Sequence, residues 1–131
     1  MKKLMIVMLM ALSLTACQQS MEQRAAQEAK NYTSKNCPTP VRDNINTDSL
    51  TFDEATKTLT YYYTMHNQLD SVEGIKAQET RLIDALQQGL RNAPGLKQYK
   101  EAGFNIRYVY RSKKDPSVVL LEKTFTKEDY Q

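Results

Sequence analysis

The sequence predicts an α+β fold, in which one long helix packs across a four-stranded antiparallel sheet made of two hairpins, with an additional helix at the N-terminus. Three patterns carry that expectation. Leu59, Tyr61, Tyr63 and Met65 alternate with Thr58, Thr60, Tyr62 and Thr64, a period of two built from aromatic and β-branched residues. Phe104, Ile106, Tyr108 and Tyr110 alternate in the same way with Asn105, Arg107, Val109 and Arg111. Between them Val72, Ile75, Leu82, Ile83, Leu86 and Leu90 fall on one stripe at about 100° per residue, the signature of an amphipathic helix. A small open barrel is the alternative architecture.

Each element has its own local reason. Residues 20–34 are rich in helix formers, with Ser20 placed as a cap and Asn36 and Pro38 as a stop. Met21, Ala25, Ala29 and Tyr32 give this segment one weakly apolar face, with too little bulk for it to be stable alone. The following "CPTPVRDNINTDS" is extended, because a residue that precedes proline is pushed out of the helical region. The first hairpin pairs Leu50–Asp53 with Leu59–Met65 around "DEATK". Asp70 with Glu73 reads as a capping box that opens a helix running to Asn92, stopped by Pro94 and Gly95. "GLKQYKEAG" adds a helical turn, "RSKKDPS" is the turn of the second hairpin, and Thr126 to Asp129 caps a last turn.

The start of the chain gives an address. Met1-Lys2-Lys3 followed by "LMIVMLMALSLTA" has the basic, apolar and small-residue regions of a secretory signal. The apolar run Leu4–Leu14 is shorter than the roughly 20 residues that span a bilayer. Leu14-Thr15-Ala16-Cys17 resembles the lipobox of bacterial lipoproteins. That resemblance implies cleavage before Cys17, a diacylglyceryl thioether on its thiol and an acylated amine (palmitate among the chains), so that Cys17 is a membrane anchor. Gln18 and Gln19 lack the aspartate that, in enterobacterial lipoproteins, goes with inner-membrane retention, so the resemblance further implies an outer-membrane lipoprotein facing the periplasm or the surface. The domains expected are a signal peptide over residues 1–16, an anchor and helical linker over 17–36, and a single α+β domain over 37–131. In size and pattern the body also resembles the small Gram-negative envelope lipoproteins of unknown function, a likeness that transfers no functional residue.

Lys2 and Lys3 leave with the signal, which takes the 18 basic residues of the chain to 16 against 15 acidic ones. So balanced a charge argues against a nucleic-acid binder, which shows a basic excess. With Cys17 lipidated, Cys37 is the one remaining thiol; it has no nearby His or Asp to activate it and reads as a small buried residue.

No CxxC pair, P-loop, GxGxxG, GxSxG, HExxH or calcium loop occurs, and no cofactor, metal site or catalytic set is expected. His66 is the single histidine and lacks a nucleophile and an orienting acid in the sequence pattern. Glu79 falls near the middle of the helical stripe, so a polar centre of a small pocket is expected there, with Tyr61, Tyr63, Tyr108, Tyr110 or Arg107 as partners, or else a structural role. Tyr62, on the threonine face, and the basic turn Arg111, Lys113 and Lys114 are the candidate interaction surface. The expectation is a non-enzymatic interaction module that meets the membrane through lipidated Cys17 and another envelope protein through its sheet face or edge. A small-ligand domain centred on Glu79 and an inhibitor or immunity-type lipoprotein are the alternatives. Oligomeric state is open.

Overall fold

A computed structural model describes residues 19–131; Cys17 and the signal segment lie outside the described residues. Helix α1 spans Met21–Asn36, capped by Ser20 in a capping box with Gln23. Strands β1 (Ile45–Asp53) and β2 (Thr58–Met65) form the first hairpin. Helices α2 (Val72–Ala77), α3 (Glu79–Arg91) and α4 (Lys97–Glu101) come next, then strands β3 (Asn105–Ser112) and β4 (Val119–Phe125) and the short α5 (Lys127–Tyr130).

Both hairpins are antiparallel, but they are joined differently from the all-antiparallel expectation. The strand order is β1-β2-β3-β4, and β2 runs parallel to β3, with Tyr61 opposite Tyr108 and Tyr63 opposite Tyr110. A hairpin pattern contains nothing about which way the next hairpin adds to it. The long helical segment between them can cross over and return at the same end of the sheet, and a parallel pair requires such a crossover. The sheet is open, not a barrel.

The single long helix is also replaced by two. At Gln78 the backbone (φ −113°, ψ 12°) interrupts the helical path between α2 and α3. Ser71, not Asp70, caps α2, its hydroxyl accepting from the Gly74 N–H. Asp70 is buried and its carboxylate instead accepts from the Lys114 N–H at 2.9 Å, tying the helix entry to the second hairpin turn.

The predicted linker helix belongs to the folded body. Ala25 and Ala29 of α1 are buried in the same apolar cluster as Leu59, Leu90, Phe104 and Ile106. Thr33 uses its hydroxyl both to donate to the Leu50 carbonyl (3.0 Å) and to accept from the Leu50 N–H (2.9 Å). The Thr39 hydroxyl accepts from the Thr47 N–H at 2.8 Å, while the Thr39 N–H donates to the Thr47 carbonyl. The outer edge of β1, which would otherwise invite another strand, is thereby occupied.

All the buried helical residues join one cluster on the Tyr61/Tyr108 face of the sheet. The opposite face carries Thr60, Tyr62, Thr64, Arg107, Val109 and Glu122. Leu90 is 1% exposed and anchors α3 to the core. Leu90→Ala should cost about 2–5 kcal/mol of unfolding free energy, read from the urea midpoint, because removing buried methyl groups there leaves a cavity.

Candidate functional site

The tyrosines that alternate along β2 and β3 meet above the sheet. Tyr61 and Tyr108 stack at 5.4 Å between ring centroids, Tyr63 and Tyr110 at 4.6 Å, and Tyr61 and Tyr63 at 6.1 Å, with planes within 16° of parallel. Parallel neighbours on one face of a sheet stand upright side by side, so these rings present their hydroxyl ends, not their faces, to whatever lies above.

Above them is a gap. Helix α1 covers β1, and α3 covers the β3–β4 side, where Leu82, Leu86 and Gly89 face Tyr108, Tyr110 and Leu121 across a cavity of about 280 Å³. A second hollow of about 440 Å³ lies between α1 and the start of α4, against Glu28, Tyr32, Tyr61 and Tyr99. A third, of about 390 Å³, is lined by Tyr32, Thr39, Arg42, Ile45 and Thr47. The centre of β2 shows the consequence. Leu59 and Met65, at its ends, are buried, whereas Tyr61 and Tyr63 between them are only half-buried. A central strand is ordinarily the best covered; here its middle is left open.

The hydroxyls divide into two classes. Tyr99 donates to the Glu28 carboxylate, and Tyr130 donates to the Phe104 carbonyl at 2.9 Å. Tyr61, Tyr63, Tyr108 and Tyr110 bond to no described residue. No fully buried side-chain polar atom among the described residues lacks a partner, so these four oxygens keep access to solvent; Tyr108 and Tyr110 line the first cavity and Tyr61 the second, whereas Tyr63 lines none of the three. Burial is the main cause that pushes Tyr61, Tyr108 and Tyr110 up to about 12 from an ordinary 10.0. Tyr63 is pushed higher still, by burial first and then by the neighbouring tyrosines. All four are therefore protonated donors across the physiological range.

The other sequence candidates lie apart from this cleft. Glu79 is exposed, the first residue of α3, and so is not the polar centre of a pocket. The break at Gln78 resets the helical phase on which its place in the stripe depended. Tyr61, Tyr63 and Tyr108 do come together, without it. Arg107, a possible partner of Glu79, is on the far face and donates to Glu122 at 2.8 Å and 2.5 Å. Tyr62 is on that same helix-free face, beside Arg107. Lys113 and Lys114 are exposed at the second hairpin turn, and Arg111, half-buried, donates to the Pro116 carbonyl at 3.3 Å. Cys37 is half-buried, with its thiol pushed up by burial and then by Asp48. His66 pairs through Nε2 with Asn46 Oδ1 at 2.7 Å, and Asn46 in turn donates to Asp48 at the bulge in β1, a connected polar network. Among the described residues no three His, Cys, Asp or Glu side chains are grouped to hold a metal ion. Sequence reasoning found the cleft's tyrosines but missed its walls. Ala85 and Gly89, small and one turn apart on α3, were the available sign that this helix leaves room beside it.

The profile of a family described as a domain of unknown function (DUF8479) matches residues 20–121. The chain belongs to the DUF8479 family. The matched span runs from the cap of α1 into β4, so α1 is part of the family domain. No curated protein matches the chain in sequence. Among solved structures, this DUF8479 chain is similar to a protein of Pseudomonas aeruginosa described as secreted, with a TM-score of 0.67 at 11% identity, covering 87% of this chain and 100% of that one. It is also similar to the pilotin EpsS of the Vibrio vulnificus type 2 secretion system, with a TM-score of 0.61 at 11% identity over 84% of this chain and 91% of that one. The type II secretion system pilotin of Vibrio cholerae matches with a TM-score of 0.57 at 14% identity, over 82% and 90%. What is shared at such identities is the fold.

The tyrosine shifts set a pH limit for this DUF8479 domain. Because the folded pKa values lie above the ordinary 10.0, the unfolded chain loses these protons first as pH rises. Stability from this source is complete below pH 10 and lost progressively as pH climbs through about 12. The urea midpoint should be flat on approach to pH 10 and then fall; Tyr108→Phe and Tyr110→Phe should each make the fall shallower, with phenolate absorbance reporting the late-titrating class.

Proposed function

We propose that this DUF8479 protein is a lipid-anchored, non-catalytic interaction module of the bacterial envelope, whose α1–α3 cleft holds a helical segment of another envelope protein. The observation that carries this reading is a cavity with apolar walls between α3 and the sheet, floored by Tyr108 and Tyr110 and lying beside the half-buried Tyr61 and Tyr63 of β2. A helix laid there with its apolar side down would complete the layer that α1 and α3 begin, the helix-in-groove mode of recognition.

The address supports the same reading. Cys17 in its lipobox supplies the anchor, and α1 starts at Met21, so the body is held within a few residues of the bilayer. Tethering raises the effective concentration of the cleft beside membrane-bound partners. Two of the proteins that share the fold are pilotins of type II secretion systems, and we infer a comparable service here to an assembly of the outer membrane.

Blocking the cleft tests this. A Cβ at Gly89 meets no atom within 4 Å, so Gly89→Trp places an indole in the cleft without disturbing the backbone. The variant should melt at or above the wild-type temperature, because a helix-interior glycine is replaced, and yet lose a cross-linked envelope partner that wild type and Tyr62→Ala both retain. If Tyr62→Ala loses the partner and Gly89→Trp keeps it, the recognition surface is the helix-free sheet face instead. Mass spectrometry of the mature chain should find the acyl mass on Cys17, and Cys17→Ser should release the protein from membranes.

A further inference from the structure

The helices on the sheet are not held to it equally. Helix α3 is seated by the fully buried Leu90, with Leu82, Ile83 and Leu86 packed against the same cluster. Helix α1 fully buries only Ala25 and Ala29, side chains of one methyl each. Apolar stabilisation follows the area removed from water, so these two side chains supply little of it. On either side of the two alanines the packing is incomplete. Along one flank a hollow of about 440 Å³ lies between Glu28, Ala29 and Tyr32 and the side chains of Tyr61 and Tyr99. Along the other a hollow of about 410 Å³ lies between Ala26, Ala29 and Lys30 and the outer part of β1. Ala29 lines both, so α1 rests on a narrow ridge.

What else holds the helix is polar and local. Thr33 bonds twice to the Leu50 backbone, and Tyr99 donates to the Glu28 carboxylate from the other helical group. The ion pair of Glu22 with the exposed Lys57, at 3.7 Å, adds little. The chain after α1 is fastened separately. Thr39 bonds to Thr47 through its hydroxyl and its N–H, and Arg42 and Ile45 exchange backbone hydrogen bonds. Helix α1 can therefore leave the sheet by turning about Cys37 and Pro38 without unravelling β1. Segments with few buried apolar contacts open in this way below the free energy of global unfolding.

The place of α1 in the chain gives such an opening a consequence. Met21 follows Cys17 by four positions, a span of about 14 Å at full extension. With α1 docked, the body is held that close to the lipid. With α1 released, the 16 residues of the helix join the tether, adding about 24 Å if they stay helical. We propose, resting on the Cys17 anchor assigned above, that α1 is a detachable strap: it leaves the sheet as a unit while β1–β4 and α3 stay folded, and so sets how far the anchored body reaches from the bilayer. Docked, it keeps the cavity under α3 near the membrane; released, it carries that cavity to partners farther away.

Native-state hydrogen exchange tests the strap apart from the anchor, on the chain from residue 17 onward with Cys17→Ser, which contains every element of the described fold. The α1 amides should exchange about ten-fold or more faster than those of β2 and β3. Leu121→Ala, in β4 and three strands away from β1, should speed exchange in β3 and β4 and leave α1 as it was. If α1 and the strands speed up together, α1 opens only in global unfolding and the inference falls. Ala25→Glu/Ala29→Glu puts two charges on the ridge and should strip α1 of protection while the strands stay about a hundred-fold protected or more. Loss of protection in the strands as well would equally overturn the strap. Reach is read on the lipidated chain in phosphatidylethanolamine–phosphatidylglycerol vesicles, by energy transfer from a dye at Lys113→Cys (with Cys37→Ser) to a headgroup acceptor. The double variant should lower the transfer; equal transfer with α1 unprotected would show that the strap does not set the distance. A chain that fails to bind the vesicles would remove the anchor and the reach with it, whatever the exchange data show.

Discussion

A parallel strand pair cannot be closed by a tight turn, and the pairing of β2 with β3 governs most of the shape of this molecule. To bring β3 alongside β2 in the same direction, the segment from His66 to Phe104 must travel back along the sheet, and it does so as three helices on one face. Helix α1 reaches that same face from the other side, over β1. Two groups of helices thus approach from opposite edges and meet at one point, where Tyr99 of α4 donates to Glu28 of α1. The cleft is the space that remains, and the helix-free face of threonines and arginines is the other result of the same crossover.

The tyrosine cluster is the adaptation to that uncovered strip. Aliphatic side chains at Tyr61 and Tyr63 would leave a greasy floor open to water, an invitation to non-specific association. Upright stacked rings bury their faces against one another, at centroid distances that give favourable aromatic contact, and offer only hydroxyls upward. The sheet is protected elsewhere by other means. Thr33 and Thr39 occupy the edge of β1, and Asp48, in the β1 bulge, accepts at 2.6 Å from Thr64 on the neighbouring strand.

Much of this is legible in the residues. The hairpins are visible because a period of two with Thr and Tyr has few other solutions, and the same alternation puts Tyr62 on the face opposite Tyr61 and Tyr63. Ser20 and the pair Thr126/Asp129 read as caps because cap chemistry is local. Asp70 misleads for an instructive reason. Its spacing to Glu73 satisfies the capping pattern, but Ser71 can cap as well from the next position, and a long-range hydrogen bond to the Lys114 N–H decides between them. Glu79 misleads because its place in the stripe requires one uninterrupted helix, and a break of one residue at Gln78 puts the turns of α2 out of phase with those of α3.

Alternation, capping residues and the lipobox-like start depend on neighbours a few positions away, so the sequence by itself determined the α+β class, the two hairpins, the face each tyrosine takes and an expected envelope address. The direction in which the hairpins join, the docking of α1 and the place where helical cover fails depend on contacts between residues far apart in the chain. Local pattern is indifferent to them, because a hairpin pairs as well in either sense and a weakly apolar helix gains its stability only from the surface it meets. Tertiary packing alone decided that Tyr108 and Tyr110, suited to a strand, would also become the floor of a cavity under α3.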